Sequence, residues 1–144
     1  AEGILFDNYQ ANKVKKSLEK VNENWGGSFF VEGGKSWRKT IEDWKSSGGK
    51  VVHLTMYGLP VGEKVEEARG DDILVVIGAE KVPGEVYEMA DYNLAVGNQP
   101  HSEIAALAVF LDRLFEGEEL TREYEDAKRR IVPSSSGKKV EGPE

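Results

Sequence analysis

The sequence contains no cysteine. Disulfides, thiolate metal sites and a cysteine nucleophile are therefore excluded, and the composition fits a reducing cytoplasm, which is the expected location. Histidine is nearly as scarce: His53 and His101 are the whole supply. A zinc site would need carboxylates beside both, so no metal is expected. No apolar run is long enough to cross a bilayer, so no membrane partner is expected. The opening AEGILFDNYQ lacks a basic stretch followed by a long apolar one, which predicts no secretory leader. Three further signatures are missing. There is no phosphate-cradling GxxxxGK followed by Ser or Thr, no GxGxxG between a strand and a helix, and no GxSxG nucleophile elbow. Positive charge is also in deficit. At a net charge of −7 the chain as a whole repels phosphate, so a nucleic-acid partner would have to meet a local basic patch.

What is present is a chain of 144 residues, 39% hydrophobic and 31% charged, which is long enough for one globular core. Residues 1–133 are expected to form a single domain, and the small, polar, charged residues 134–144 a flexible tail. Ile4 to Phe6 reads as a short strand. Val14, Leu18 and Val21 form one stripe of a helix over Asn8 to Val21, ended by Trp25-Gly26-Gly27. Ser28 to Val31 reads as a strand and Gly33-Gly34 as a turn. Trp37, Ile41 and Trp44 repeat the helical stripe after the candidate cap Ser36, which predicts that both tryptophans pack in the core.

Lys50 to Thr55 (KVVHLT) reads as a strand closed by Met56-Tyr57-Gly58. A helix over Gly62 to Arg69, a strand Ile73 to Ile77, a helix Pro83 to Met89 and a strand Tyr92 to Val96 follow. Ser102 to Phe115 is the strongest helix, apolar on more than one side and ended by Gly117. Glu118 to Arg130 is charged and partly helical, and Arg129 to Pro133 is a candidate edge strand. Apolar runs alternating with helices predict an α/β fold with a mostly parallel sheet flanked by helices.

In such sheets ligands sit outside the carboxyl ends of the strands. Three loops of this kind, Thr55 to Gly58, Gly78 to Val82 and Gly97 to His101, would converge on one cleft. Gly78 and Gly97 directly follow apolar strands. Each is either a turn needing positive φ or a place where backbone meets a ligand. Glu80 and Glu103 are candidate acids or helix-start carboxylates. Asn98 and Ser102 are a candidate turn residue and helix cap, or substrate-orienting groups together with His101. The basic clusters Lys13, Lys15, Lys16; Lys35, Arg38, Lys39; and Lys128, Arg129, Arg130 read first as solvated faces, because acidic residues interleave.

The motifs reach further than the periodicity. His53-Leu54-Thr55-Met56-Tyr57-Gly58, Val76-Ile77-Gly78-Ala79-Glu80-Lys81-Val82-Pro83, Ala90-Asp91-Tyr92-Asn93 and the long block Gly97-Asn98-Gln99-Pro100-His101-Ser102-Glu103-Ile104-Ala105-Ala106-Leu107-Ala108-Val109 are the carriers. Together they resemble the archaeal tRNA 2′-O-methyltransferases that modify the T-loop cytidine at tRNA position 56, within the SPOUT superfamily of knotted methyltransferases. The resemblance implies a deep C-terminal trefoil knot, an exception to ordinary chain connections. It also implies a tRNA substrate and a homodimer with the site at the subunit interface. The implied cofactor is S-adenosylmethionine, bound by Leu54, Thr55 and Gly58, by Gly78, Ala79, Glu80, Lys81 and Val82, and by Gly97, Asn98, Gln99, Pro100, His101, Ser102, Glu103 and Ala105.

One departure bears on chemistry. The family carries a Leu-Gly-His-Arg motif on its first strand, and that arginine is the usual candidate for activating the ribose hydroxyl. Ala1 to Phe6 aligns with a later strand, so the family's N-terminal strand and helix are expected to be absent. Arg38, Arg69 and Arg113 do not match the motif, and no catalytic residue is assigned. The alternative to an enzyme is a non-catalytic knotted module that binds the cofactor or RNA.

Overall fold

The computed structural model describes residues 1–70, 72–78 and 81–143. Its elements fall into two units, residues 1–36 with 122–144, and residues 37–121. In the first unit, β1 (Gly3–Asp7) lies parallel to β2 (Phe30–Lys35), and α1 (Asn12–Trp25) connects them. The helix starts four residues later than its apolar stripe predicts. Asn8 and Ala11 both hold left-handed φ, 50° and 49°, which keeps the chain out of the helical region until Asn12. Val14 and Leu18 are half-buried, and Val21 is exposed. The expected turn at Gly33-Gly34 is instead part of β2. The Tyr9–Gln10 backbone lies where a Cβ on Gly33 would project, and Gly34 N donates to Tyr9 O at 2.8 Å. Late in the chain Arg130–Ile131 (β6) pairs antiparallel with Val140–Glu141 (β7), inside the segment read as a tail.

The second unit contains α2 (Trp37–Ser46), β3 (Lys50–Pro60), α3 (Val61–Ala68), β4 (Ile73–Ile77), α4 (Gly84–Met89), β5 (Tyr92–Ala95) and α5 (Glu103–Phe115). A turn of 3-10 helix, Glu118–Thr121, follows. The strands form a parallel sheet in the order β4-β3-β5. Each unit thus has its own parallel strands, and the α/β reading with parallel sheets flanked by helices holds.

Val51 through Leu54, in the central strand, are each at most 3% exposed. A parallel strand covered on both faces needs this continuous apolar run. Val52 and Leu54 pack with Val65 and Ala68 of α3 and with Phe110 and Leu114 of α5. On the alternate face His53 meets Tyr87 of α4. Ile41 is the buried residue of α2, while Trp37 and Trp44 are only half-buried. Trp44 stays at the margin because its indole N–H donates to Asp72 O, 3.3 Å away.

Two polar devices fix the ends of these elements. The Asp91 carboxylate accepts from Val51 N at 2.8 Å and pairs with Lys45 at 2.9 Å, joining the start of β5 to β3. Burial pushes its pKa up, but Lys45, the Val51 amide and Lys50 together hold it below the ordinary value. At the far end of α5, Arg69 donates to the carbonyls of Leu114 and Arg113, both at 2.9 Å, and so satisfies helix-end acceptors. Glu116 in the left-handed region, with φ 57°, stops the helix one residue ahead of Gly117.

Candidate active site

β3 does not stop at Thr55. Its register against β5 breaks between Leu54 and Leu59, and Leu94 pairs with both. Residues 55–58 therefore bulge out of the sheet and return to it. The return depends on Gly58, because a Cβ there would sit 2.5 Å from Asn93 O and 2.7 Å from Leu94 N. Asn98 reaches the same bulge from the other side: its Nδ2 donates to Met56 O at 2.8 Å and to Gly58 O at 3.0 Å. The loop after β5 is thus tied to the loop within β3.

Beside the bulge lies a cavity of about 450 Å³. This is within the roughly 300–1,000 Å³ of small-molecule sites. Leu54, Thr55, Met56 and Tyr57 form one wall, Gly78, Lys81 and Val82 a second, and Pro100, His101 and Glu103 a third; His53 and Tyr87 complete it. The three segments expected to converge do so, but residues 55–58 are a bulge within β3 and not a loop at its end.

The polar groups around His53 are ordered. Its Nδ1 is 2.9 Å from Asn93 Oδ1, and Asn93 Nδ2 donates to Tyr87 O at 2.9 Å. The Tyr87 ring stands edge-on to the imidazole at 4.6 Å, and its hydroxyl shares a 3.0 Å hydrogen bond with Thr55 Oγ1. Burial pulls the His53 pKa below its ordinary value, against the Asn93 hydrogen bond and the Glu103 charge, which both raise it. The ring is therefore neutral at neutral pH.

Of the residues the resemblance implies for the cofactor, Leu54, Thr55, Gly78, Lys81, Val82, Pro100, His101 and Glu103 line this cavity. Ala79 and Glu80 lie outside the described residues. Gly58, Gly97, Asn98, Gln99, Ser102 and Ala105 do not line it. For most of these the reason is visible. Gly58 faces β5. Gly97 makes a turn with φ 78° and open space where a Cβ would be. The Asn98 amide is taken by the bulge. Ser102 Oγ accepts from Ala105 N at 3.4 Å, so both of these residues serve the cap of α5. His101 Nδ1 lies 3.3 Å from Ser102 O, which leaves Nε2 free of that contact. Two lining residues, His53 and Tyr87, were not anticipated as site groups. A histidine inside the apolar run KVVHLT was the available signal for the first. Tyr87 carried none, since its place depends on how α4 packs over β3. Among the described residues no three carboxylate or histidine side chains cluster as a metal site would require.

Residues 25–141 match the family model described as tRNA ribose 2′-O-methyltransferase, aTrm56. The chain is 57% identical to a tRNA (cytidine(56)-2′-O)-methyltransferase of Methanopyrus kandleri, over 98% of this chain and 80% of the relative. It is 56% identical to the Methanocaldococcus jannaschii protein of the same name, over 97% of this chain and 79% of that one. For the Pyrococcus horikoshii protein of that name the identity is 52%, over 97% and 70%.

Proposed function

The chain belongs to the tRNA ribose 2′-O-methyltransferase family, and we propose that it methylates the ribose 2′-hydroxyl of cytidine 56 in tRNA, with S-adenosylmethionine held in the cavity beside the β3 bulge. The observation that carries the assignment of the site is the convergence of the β3 bulge and the loops after β4 and β5 on one cavity of small-molecule size. Its lining suits the cofactor's mixed chemistry. Tyr57 and Tyr87 offer aromatic surface, Leu54 and Val82 apolar contact, Glu103 a negative charge for a cationic centre, and Lys81 a positive one for a carboxylate.

Bound there, S-adenosylmethionine would supply a methyl group on a sulfonium centre that is already a good leaving group. What remains for the protein is positioning. Asn98 holds the 97–101 loop against the bulge and so sets the width of the site, while His101, with Nε2 free of the Ser102 contact, is the group placed to orient a ribose hydroxyl. The reading includes the trefoil-knotted connection and a homodimer in the cytoplasm. The dimer is supported by exposed apolar residues on α5, namely Ile104, Val109 and Phe115. No helix among the described residues is long and apolar enough to cross a membrane.

Incubation with methyl-labelled cofactor and a tRNA transcript tests the reaction. Label on the ribose of cytidine 56, located by nuclease digestion and mass spectrometry, is the expected result. Label confined to another nucleotide, or none while the cofactor binds, would overturn it.

A further inference from the structure

The His53 ring is fully buried, yet one of its nitrogens has no hydrogen-bond partner among the described residues. Because Asn93 Nδ2 is held by the Tyr87 carbonyl, Asn93 turns its oxygen to the imidazole, and that oxygen can only accept. Nδ1 therefore carries the proton, and Nε2 carries a lone pair. Nε2 exposes less than 1 Å² and has no hydrogen-bond partner among the described residues. The Tyr87 hydroxyl, on the ring that stands edge-on to the imidazole, bonds instead with Thr55 Oγ1. A buried acceptor left unpaired is costly, and such atoms in native proteins call for an explanation.

We propose that Nε2 of His53 is the cavity's acceptor for an uncharged N–H or O–H donor of the bound cofactor, either the adenine amino group or a ribose hydroxyl. This rests on the cavity being the cofactor site and adds the atom that reads the cofactor. A neutral imidazole lone pair accepts from amino and hydroxyl groups and repels carboxylates. The cofactor's carboxylate is thereby excluded as the partner of Nε2, and its ammonium has a stronger acceptor in the Glu103 carboxylate. Since Nε2 has no open surface, the donor seats by displacing a neighbouring wall group, so binding carries an induced fit.

Calorimetric titration of the full chain with S-adenosylhomocysteine and three analogues, the N6-dimethyl, 2′-deoxy and 3′-deoxy forms, tests this. The wild type is expected to discriminate against one analogue by about tenfold to a hundredfold. His53→Asn keeps the donor to Asn93 but has no atom at Nε2, so it should bind the parent and that analogue alike. His53→Gln, with an amide oxygen near the Nε2 position, should recover part of the discrimination. Equal discrimination in wild type and His53→Asn for all three analogues overturns the assignment of Nε2. Absence of any binding by the wild type overturns the cofactor site itself, and the proposal with it. Should the variants not fold, the ring-nitrogen NMR signals of the wild type decide. The Nε2 resonance should move on adding S-adenosylhomocysteine, and an unmoved resonance overturns the proposal.

Discussion

The two glycine loops of the site look alike in sequence and differ in what the missing side chain is for. Gly58, in the β3 bulge, gives up its Cβ to the backbone of β5: Asn93 O and Leu94 N occupy that space. Gly97, after β5, has no atom of a described residue within 4 Å of where a Cβ would stand, and its φ is +78°. The first glycine is required by packing, and the second by backbone conformation. Neither is hollowed out for a ligand. The cavity is shaped by where the loops go, and the glycines determine where they can go. These two glycines are therefore indirect signals of the binding site, whereas Gly78, after β4, lines the cavity itself.

Substituting each glycine is the most direct way to break this comparison. Gly58→Ala forces a methyl group into backbone atoms that cannot rotate away. We expect a loss of about 3 kcal/mol, at the upper end of overpacking costs. At roughly 4 °C per kcal/mol for a chain of this size, the melting temperature should fall by about 12 °C. Gly97→Ala meets no atom of the described residues and bears the cost of left-handed φ, about 1 kcal/mol. Differential scanning calorimetry of the two variants checks both values. If Gly97→Ala proves as damaging as Gly58→Ala, the loop after β5 is as tightly packed as the bulge and the distinction collapses.

Asn98 sharpens the same comparison, because it joins the two loops. Asn98→Ala removes two hydrogen bonds from an exposed side chain, at 2.8 and 3.0 Å. Its stability cost should stay at or below about 1 kcal/mol. Its effect on cofactor affinity should be larger than on stability, on the order of tenfold, because the third wall is then no longer held against the first. Calorimetric titration beside a thermal melt separates the two. Affinity that falls no further than stability would reduce Asn98 to an ordinary surface tie.

How much of this was legible in the sequence follows the same division. The parallel strands β3, β4 and β5 were readable because each is an apolar run bounded by glycine or polar residues. The helix α5 was readable because Ile104 to Leu114 repeat at helical spacing. Period and composition are local, and these elements are locally determined. The bulge at residues 55–58 was not readable, since a register break against β5 depends on a strand some 35 residues further on in the sequence. Gly33-Gly34 misled for a related reason: two glycines predict a turn, but here they form a bulge within β2, where the register against β1 shifts and Gly34 takes φ +67°, and the Tyr9–Gln10 backbone lies against Gly33. The site residues split similarly. The motif blocks led to the three walls. His53 had one local signal, a histidine inside an apolar run, while Tyr87 enters only through packing across the sheet face, which no local pattern encodes.

The smallest effect concerns His53 rather than the three walls. Burial holds the His53 pKa below its ordinary 6.5, outweighing the Asn93 hydrogen bond and the Glu103 charge. In the unfolded chain the ring takes up its proton near 6.5, and in the folded chain only at lower pH. Between those two values the unfolded state binds more protons. The stability owed to the neutral ring is therefore complete above pH 6.5 and is lost as pH falls toward the lowered folded value. Its slope cannot exceed about 1.4 kcal/mol per pH unit. Urea unfolding at pH 7.5 and 5.5 should show this loss in the wild type and in Gly97→Ala alike. His53→Asn, with no titrating ring at that position, should lose less over the same step by the His53 share. An equal loss in all three would mean that the acid sensitivity arises elsewhere and that the buried ring is protonated without penalty, which its unpaired Nε2 and full burial argue against.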